Sequence, residues 1–176
     1  MRVGKSMVIK SVNYPNSKDK NSFESGMEYQ DYVADLLRDK LGIVITNYTS
    51  AKFQFETGEN KQGIEIKLDK DFDSTNQLSI ETAEKTKANN PIWVPSGIYR
   101  NDNSWLYIQG TFKTTFIFSK NLLIMLHKTK RYVEHTAYGT LKGFFLPMVD
   151  CNKYASKIIF AITPEEKLNK WGALSK

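Results

Sequence analysis

The segment Gly63-Ile64-Glu65-Ile66-Lys67 places a carboxylate and an ammonium two residues apart. In an extended strand such residues emerge on one face, with Ile64, Ile66 and Leu68 on the other. A carboxylate beside a lysine is suited to hydrolysis of a phosphodiester. Carboxylate oxygens hold Mg²⁺ or Mn²⁺, which polarises the phosphate and lowers the pKa of a bound water. The lysine orients that water and stabilises charge developing on the phosphoryl oxygens. A bare Glu-x-Lys also occurs by chance, and then it is an exposed ion pair of little energetic weight. The surrounding elements decide between the two.

Residues 1–21 are polar and rich in Lys, Asn and Ser, and read as an irregular arm. Ser22 to Leu41 has the spacing of a helix, with Met27, Tyr29, Val33, Leu36, Leu37 and Leu41 recurring along it. Ser22 is one candidate cap, and Ser25 with Glu28 three residues later is the other. Gly42 is placed to end the helix. Three β-type segments follow: Ile43 to Tyr48, Lys52 to Glu56, and Gly63 to Asp69 after a turn that contains Glu59. Gln77 to Thr82 alternates again, with Leu78 and Ile80 inward and Ser79 and Glu81 outward. Glu81 would then lie opposite Glu65 across a shared sheet, or simply pair with a lysine. Further on, Ser104 to Gly110 and Thr114 to Ser119 predict a hairpin, and Lys120 to Lys128 a helix. Thr140 to Val149 predicts a strand weakened by Gly143, and Cys151 to Ile162 fits either type. The expectation is one α/β domain over residues 22–176.

The order helix, strand, strand, Glu-x-Lys strand, strand resembles the core of the PD-(D/E)XK nuclease superfamily. Gly26-Met27-Glu28-Tyr29-Gln30 with Val33-Ala34, Leu36-Leu37 and Leu41-Gly42 is similar to that core's first helix. Glu59 through Lys67 is similar to the acidic, Gly, Glu-x-Lys signature of the mismatch-repair nickase, of its restriction-enzyme relatives and of small phage and prophage nucleases. The resemblance covers residues 22–85 and implies a restriction-endonuclease-like fold, a helix followed by a mixed central sheet with flanking helices. It also implies a Mg²⁺- or Mn²⁺-dependent endodeoxyribonuclease. Glu65 would be a metal ligand, Lys67 the catalytic lysine, and Glu28 an acid acting from the helix directly or through water. Glu59 stands where the family usually has aspartate, and there is no Pro-Asp. The second metal-binding carboxylate is therefore open, with Glu59 first, Glu81 second and Asp69 also available. A restriction, recombination or genome-processing role in phage or mobile elements would follow. The rival expectation is a non-catalytic nucleic-acid-binding or phage assembly domain on the same fold.

Composition is compatible with a DNA partner. The chain of 176 residues carries a formal net charge of +6, an excess that assists attraction of phosphates. Arg100, Lys128, Lys130 and Arg131 are candidate DNA contacts, and the aromatic-basic run Trp93, Tyr99, Arg100, Trp105, Tyr107 could stack bases or pack a core. His127 and His135 are too few and too isolated for a zinc or His-Asn-His site. The single cysteine, Cys151, excludes an internal disulfide. No apolar run approaches the length of a membrane span, and the N-terminus has no secretory apolar segment, so a cytoplasmic location without membrane contact is expected. A homodimer would suit cutting of two strands, but no interface pattern is legible.

Overall fold

The apolar periodicity of the first helix and the alternation of the Glu-x-Lys strand are both realised in a computed structural model, which describes residues 20–48, 54 and 57–161. Helix α1 spans Lys20–Leu41. It begins before Ser22 and Ser25, so neither serine is its cap, and the capping box proposed for Glu28 does not form. Gly42 closes the helix, its N–H donating to the Arg38 carbonyl. The expected strand Ile43–Tyr48 makes no ladder among the described residues. Asn47 forms only an isolated bridge with Asn60. Ile43 and Val44 are exposed there, so β-branched composition finds no sheet to join. Of the expected strand Lys52–Glu56 only Gln54 is described, and it is helical; the rest of that segment and residues 1–19 of the arm lie outside the described residues.

The chain continues through β1 (Ile64–Leu68), a short helix α2 (Phe72–Thr75), β2 (Gln77–Glu84), β3 (Val94–Pro95), a 3₁₀ turn (Gly97–Tyr99), β4 (Leu106–Gly110) and β5 (Thr114–Ser119). Then come α3 (Lys120–Lys128), β6 (Glu134–Ala137), β7 (Leu141–Pro147), α4 (Met148–Tyr154) and β8 (Lys157–Phe160). The strand expected over Thr140–Val149 stops at Pro147, and the ambiguous stretch from Cys151 divides into the end of α4 and β8. Gly143 is required rather than merely tolerated. A Cβ there would stand 2.4 Å from the Ile80 carbonyl oxygen.

The result is a single α/β domain with two four-stranded sheets. One has the order β1-β4-β5-β8, with β1 parallel to β4 and the other neighbours antiparallel. The other, β3-β2-β7-β6, is wholly antiparallel. This separates β2 from β1, so Glu81 does not face Glu65 across a ladder as expected. α1 covers one side of the first sheet: Tyr29, Val33, Leu36 and Leu37 pack with Ile64, Ile66, Ile108, Ile117 and Ile159. A second core gathers Phe72 of α2 with Leu78, Ile80, Tyr107, Phe116, Phe118, Phe144 and Leu146 from both sheets. Since Glu65 is in register with Tyr107, and Lys67 with Gln109, the polar side of β1 faces away from α1. No helix among the described residues is long and apolar enough to cross a membrane.

Candidate active site

Among the described residues β1 is an edge strand, and a turn rather than another strand lies along its outer edge. The Asn60 side chain clamps that turn. Its Nδ2 donates to the Ile64 carbonyl at 2.7 Å, and its Oδ1 accepts from the Ile64 N–H at 3.0 Å. Gly63 has a φ of +72°, and a Cβ there would meet the Asn103 carbonyl oxygen at 2.5 Å. With the turn so fixed, Glu59 Oε2 accepts a hydrogen bond from the Ile66 N–H at 2.8 Å. The carboxylate of Glu59 is thereby seated beside β1, next to the side chains of Glu65 and Lys67.

Lys67 Nζ lies 2.9 Å from Glu65 Oε1 and 3.8 Å from Glu59 Oε1. The Glu65 side chain is fully buried, and its Oε2 has no hydrogen-bond donor among the described residues. A buried carboxylate oxygen without a donor is costly, and a cation compensates such an oxygen. Burial drives the Glu59 carboxyl up to about 7, and the Glu65 charge adds to this. The Lys67 charge, the Ile66 N–H and the Arg100 charge oppose it. Burial alone would depress the Lys67 ammonium, but Glu65 and Glu59 outweigh it and hold its pKa well above the ordinary lysine value. Tyr107, fully buried beside this cluster, has its phenol pushed up by burial.

Glu81 approaches from the second sheet, tethered by the hydroxyl of buried Ser96. Its charge acts on Lys67, Tyr107 and Arg100. Burial disfavours the Arg100 guanidinium, yet the charges of Glu65, Glu84, Glu81 and Asp102 keep its pKa high. Arg100 is thus placed beside the acidic cluster. Its loop is pinned from below by Lys120, whose buried Nζ donates to the Arg100 carbonyl at 2.9 Å, Asp102 Oδ1 at 3.0 Å and Ser104 Oγ at 2.6 Å. Sequence reading missed Lys120 and Asn60. The signal for Lys120 was a lysine in the first turn of a helix, where it opposes the helix dipole and needs another reason to be there. For Asn60 it was an Asx residue before a glycine turn.

The other expected residues are not brought together here. Glu28 is exposed on α1, which packs on the isoleucine side of the sheet, whereas Glu65 and Lys67 face the opposite side. Asp69 is committed to structure, accepting from the N–H groups of Ser79 and Asp71 and from the Gln109 amide. Lys128 and Lys130 are exposed at the end of α3. Arg131 grips Asp150 through both carboxylate oxygens at 2.9 and 2.8 Å, a fastening between α3 and α4. His127 is packed between Tyr99 and Phe144 with a bond to the Tyr99 hydroxyl, and Cys151 is buried.

Among the described residues no three His, Cys, Asp or Glu side chains gather into one metal-binding group. The available donor set is the Glu59–Glu65 pair, and two carboxylates suffice for a magnesium ion that keeps several waters. The donorless Glu65 Oε2 fits such a cation. No family model, curated protein or solved structure matches the chain.

Proposed function

We propose that this chain is a Mg²⁺- or Mn²⁺-dependent endodeoxyribonuclease that hydrolyses phosphodiester bonds through Glu59, Glu65 and Lys67. The observation that carries the reading is the convergence of two carboxylates on one strand-borne ammonium, with a buried carboxylate oxygen left without a donor among the described residues. Glu65 and Glu59 would hold the cation. When bound, it would supply polarisation of the phosphate and a water of lowered pKa. Lys67 is protonated at neutral pH, so it serves as a hydrogen-bond donor and positive charge toward a phosphoryl oxygen rather than as a base. Arg100 is a second cation on the same side, suited to a flanking phosphate. The buried Tyr107 ring walls the cluster on the core side and limits water there.

α1 behind a Glu-x-Lys strand is in keeping with a restriction-endonuclease-like core, and that fold, a cytoplasmic location and a restriction, recombination or processing role belong to this proposal. The alternative is a non-catalytic nucleic-acid-binding domain, favoured by one observation. Glu65 is wholly buried and Lys67 already partners it at 2.9 Å. Incubation of the purified chain with plasmid, branched and single-stranded DNA separates the two. Cleavage that requires Mg²⁺ or Mn²⁺ and is strongly reduced in Glu65→Gln and Lys67→Arg is expected. No cleavage of any of these substrates by the wild type would overturn the enzymatic reading.

A further inference from the structure

A second cationic feature lies outside the cluster. Trp93, half-buried just before β3, has two ammonium groups over its ring: Lys85 Nζ and Lys142 Nζ, each 4.7 Å from the ring centroid. Lys85 comes from the end of β2 and Lys142 from β7, so three separate segments supply the three side chains. Lys85 Nζ is further fixed by a bond to the Ala88 carbonyl at 2.6 Å. Neither ammonium makes an ion pair with a carboxylate among the described residues. Two like charges held on one indole repel each other, and the indole quadrupole offsets this only in part. Such a pair is completed by an anion from outside.

The position of the patch indicates which anion. The segment that begins at Trp93 continues through Ser96, whose hydroxyl holds Glu81, to Arg100, which senses the charges of Glu65 and Glu81. One short stretch of chain therefore joins the patch to the candidate site. Beside Trp93, Ile92 is 69% exposed and Val94 50%, adding apolar surface next to the cations. Cations alternating with aromatic and apolar surface suit a strand whose phosphates are charged and whose sugar and base faces are open. A duplex keeps those faces stacked.

We infer that Lys85, Trp93 and Lys142 form a contact site for the backbone of single-stranded DNA, leading the strand toward Arg100 and Lys67. The inference rests on the nuclease reading for its direction, but binding is measurable without cleavage. The test is fluorescence anisotropy of a labelled single-stranded deoxyoligonucleotide with the full chain in EDTA, over a salt series. Lys85→Gln combined with Lys142→Gln is expected to weaken binding at least tenfold. It should also reduce the slope of log K against log salt by about 1.4, the loss of two phosphate contacts on a single strand. Trp93→Ala should lose a similar factor while Trp93→Phe stays near wild type, because the phenyl ring retains the cation contact. Circular dichroism confirms that each variant is folded. Wild-type-like binding by the double lysine variant, tighter binding of duplex, or equal lysine-dependent binding to anionic lipid vesicles would overturn the inference. Loss of binding in the variants of a protein that never cleaves would remove the nuclease reading and leave this site standing. Cleaving wild type with lysine-independent binding would do the reverse.

Discussion

Lys67 and Lys120 are both lysines set among acids, yet their surroundings differ in what remains unsatisfied. Lys120 is almost entirely buried and places its three donors on a carbonyl, a carboxylate and a hydroxyl, within 3.0 Å in each case. It fastens the loop carrying Arg100 to the start of α3. Lys67 retains 29% of its side-chain exposure, stands between two carboxylates and leaves the inner one with an oxygen that has no donor among the described residues. A buried ammonium with every donor used is a structural fastener. One that shares an incompletely satisfied acid pair with an opening to solvent has capacity left for a ligand.

Substitution should expose that difference. The largest effect is expected on cleavage: Lys67→Arg and Glu65→Gln should each lower the rate by about 10²–10³-fold, the scale of removing one transition-state donor or charge, while thermal melting shifts little. A variant that melts far below wild type would place Lys67 with the fasteners instead. Lys120→Ala should act in the opposite sense. It leaves the Asp102 carboxylate buried beside the site without its cation, so urea denaturation should show a loss of about 3–5 kcal/mol. Retained stability in that variant would erase the contrast between the two lysines.

pH provides a subtler separation. The Glu59 carboxyl is raised to about 7, so its contribution to folding is complete below the ordinary carboxylate range. That contribution is lost as pH rises through 7, because ionising the buried group then costs folded-state free energy. In chelator, wild-type stability relative to Glu59→Gln should therefore fall between about pH 4.5 and 7 and flatten above. Paired urea titrations across that range read the difference directly, and parallel curves would contradict the shift. The smallest effect is expected at Arg131, a solvent-screened cation on Asp150, where Arg131→Ala should shift the urea midpoint only slightly and leave DNA affinity unchanged. A clear loss of affinity there would restore its role as a DNA contact.

The parts legible in the sequence were those set by near neighbours. Alternation put Glu65 and Lys67 on one face of β1, the apolar period built α1, and the β4–β5 hairpin and α3 followed from local pattern. Long-range pairing was not legible. β2 pairs with β7, far along the chain, so its alternation fixed which residues point inward but not which sheet it joins. Ile43–Tyr48 has strand composition but makes no ladder among the described residues, because tertiary context overrides β propensity. Within the site, Glu59 was visible as a turn acid, but its seat on the Ile66 N–H depends on the Asn60 clamp that fixes the turn beside β1. Glu28 was placed at the site by resemblance alone. The choice of sheet face that α1 covers sets it apart from Glu65.

Cation binding by the Glu59–Glu65 pair is the property on which the proposed chemistry most depends. Titration of the full chain with Mn²⁺, followed by the loss of the free-ion paramagnetic resonance signal, measures this without any substrate. One bound Mn²⁺ per chain, abolished in Glu59→Gln and in Glu65→Gln and displaced by excess Mg²⁺, is the predicted result. Mn²⁺ binding that is unchanged in both variants, or absent from the wild type, would contradict the assignment of this pair as the metal site.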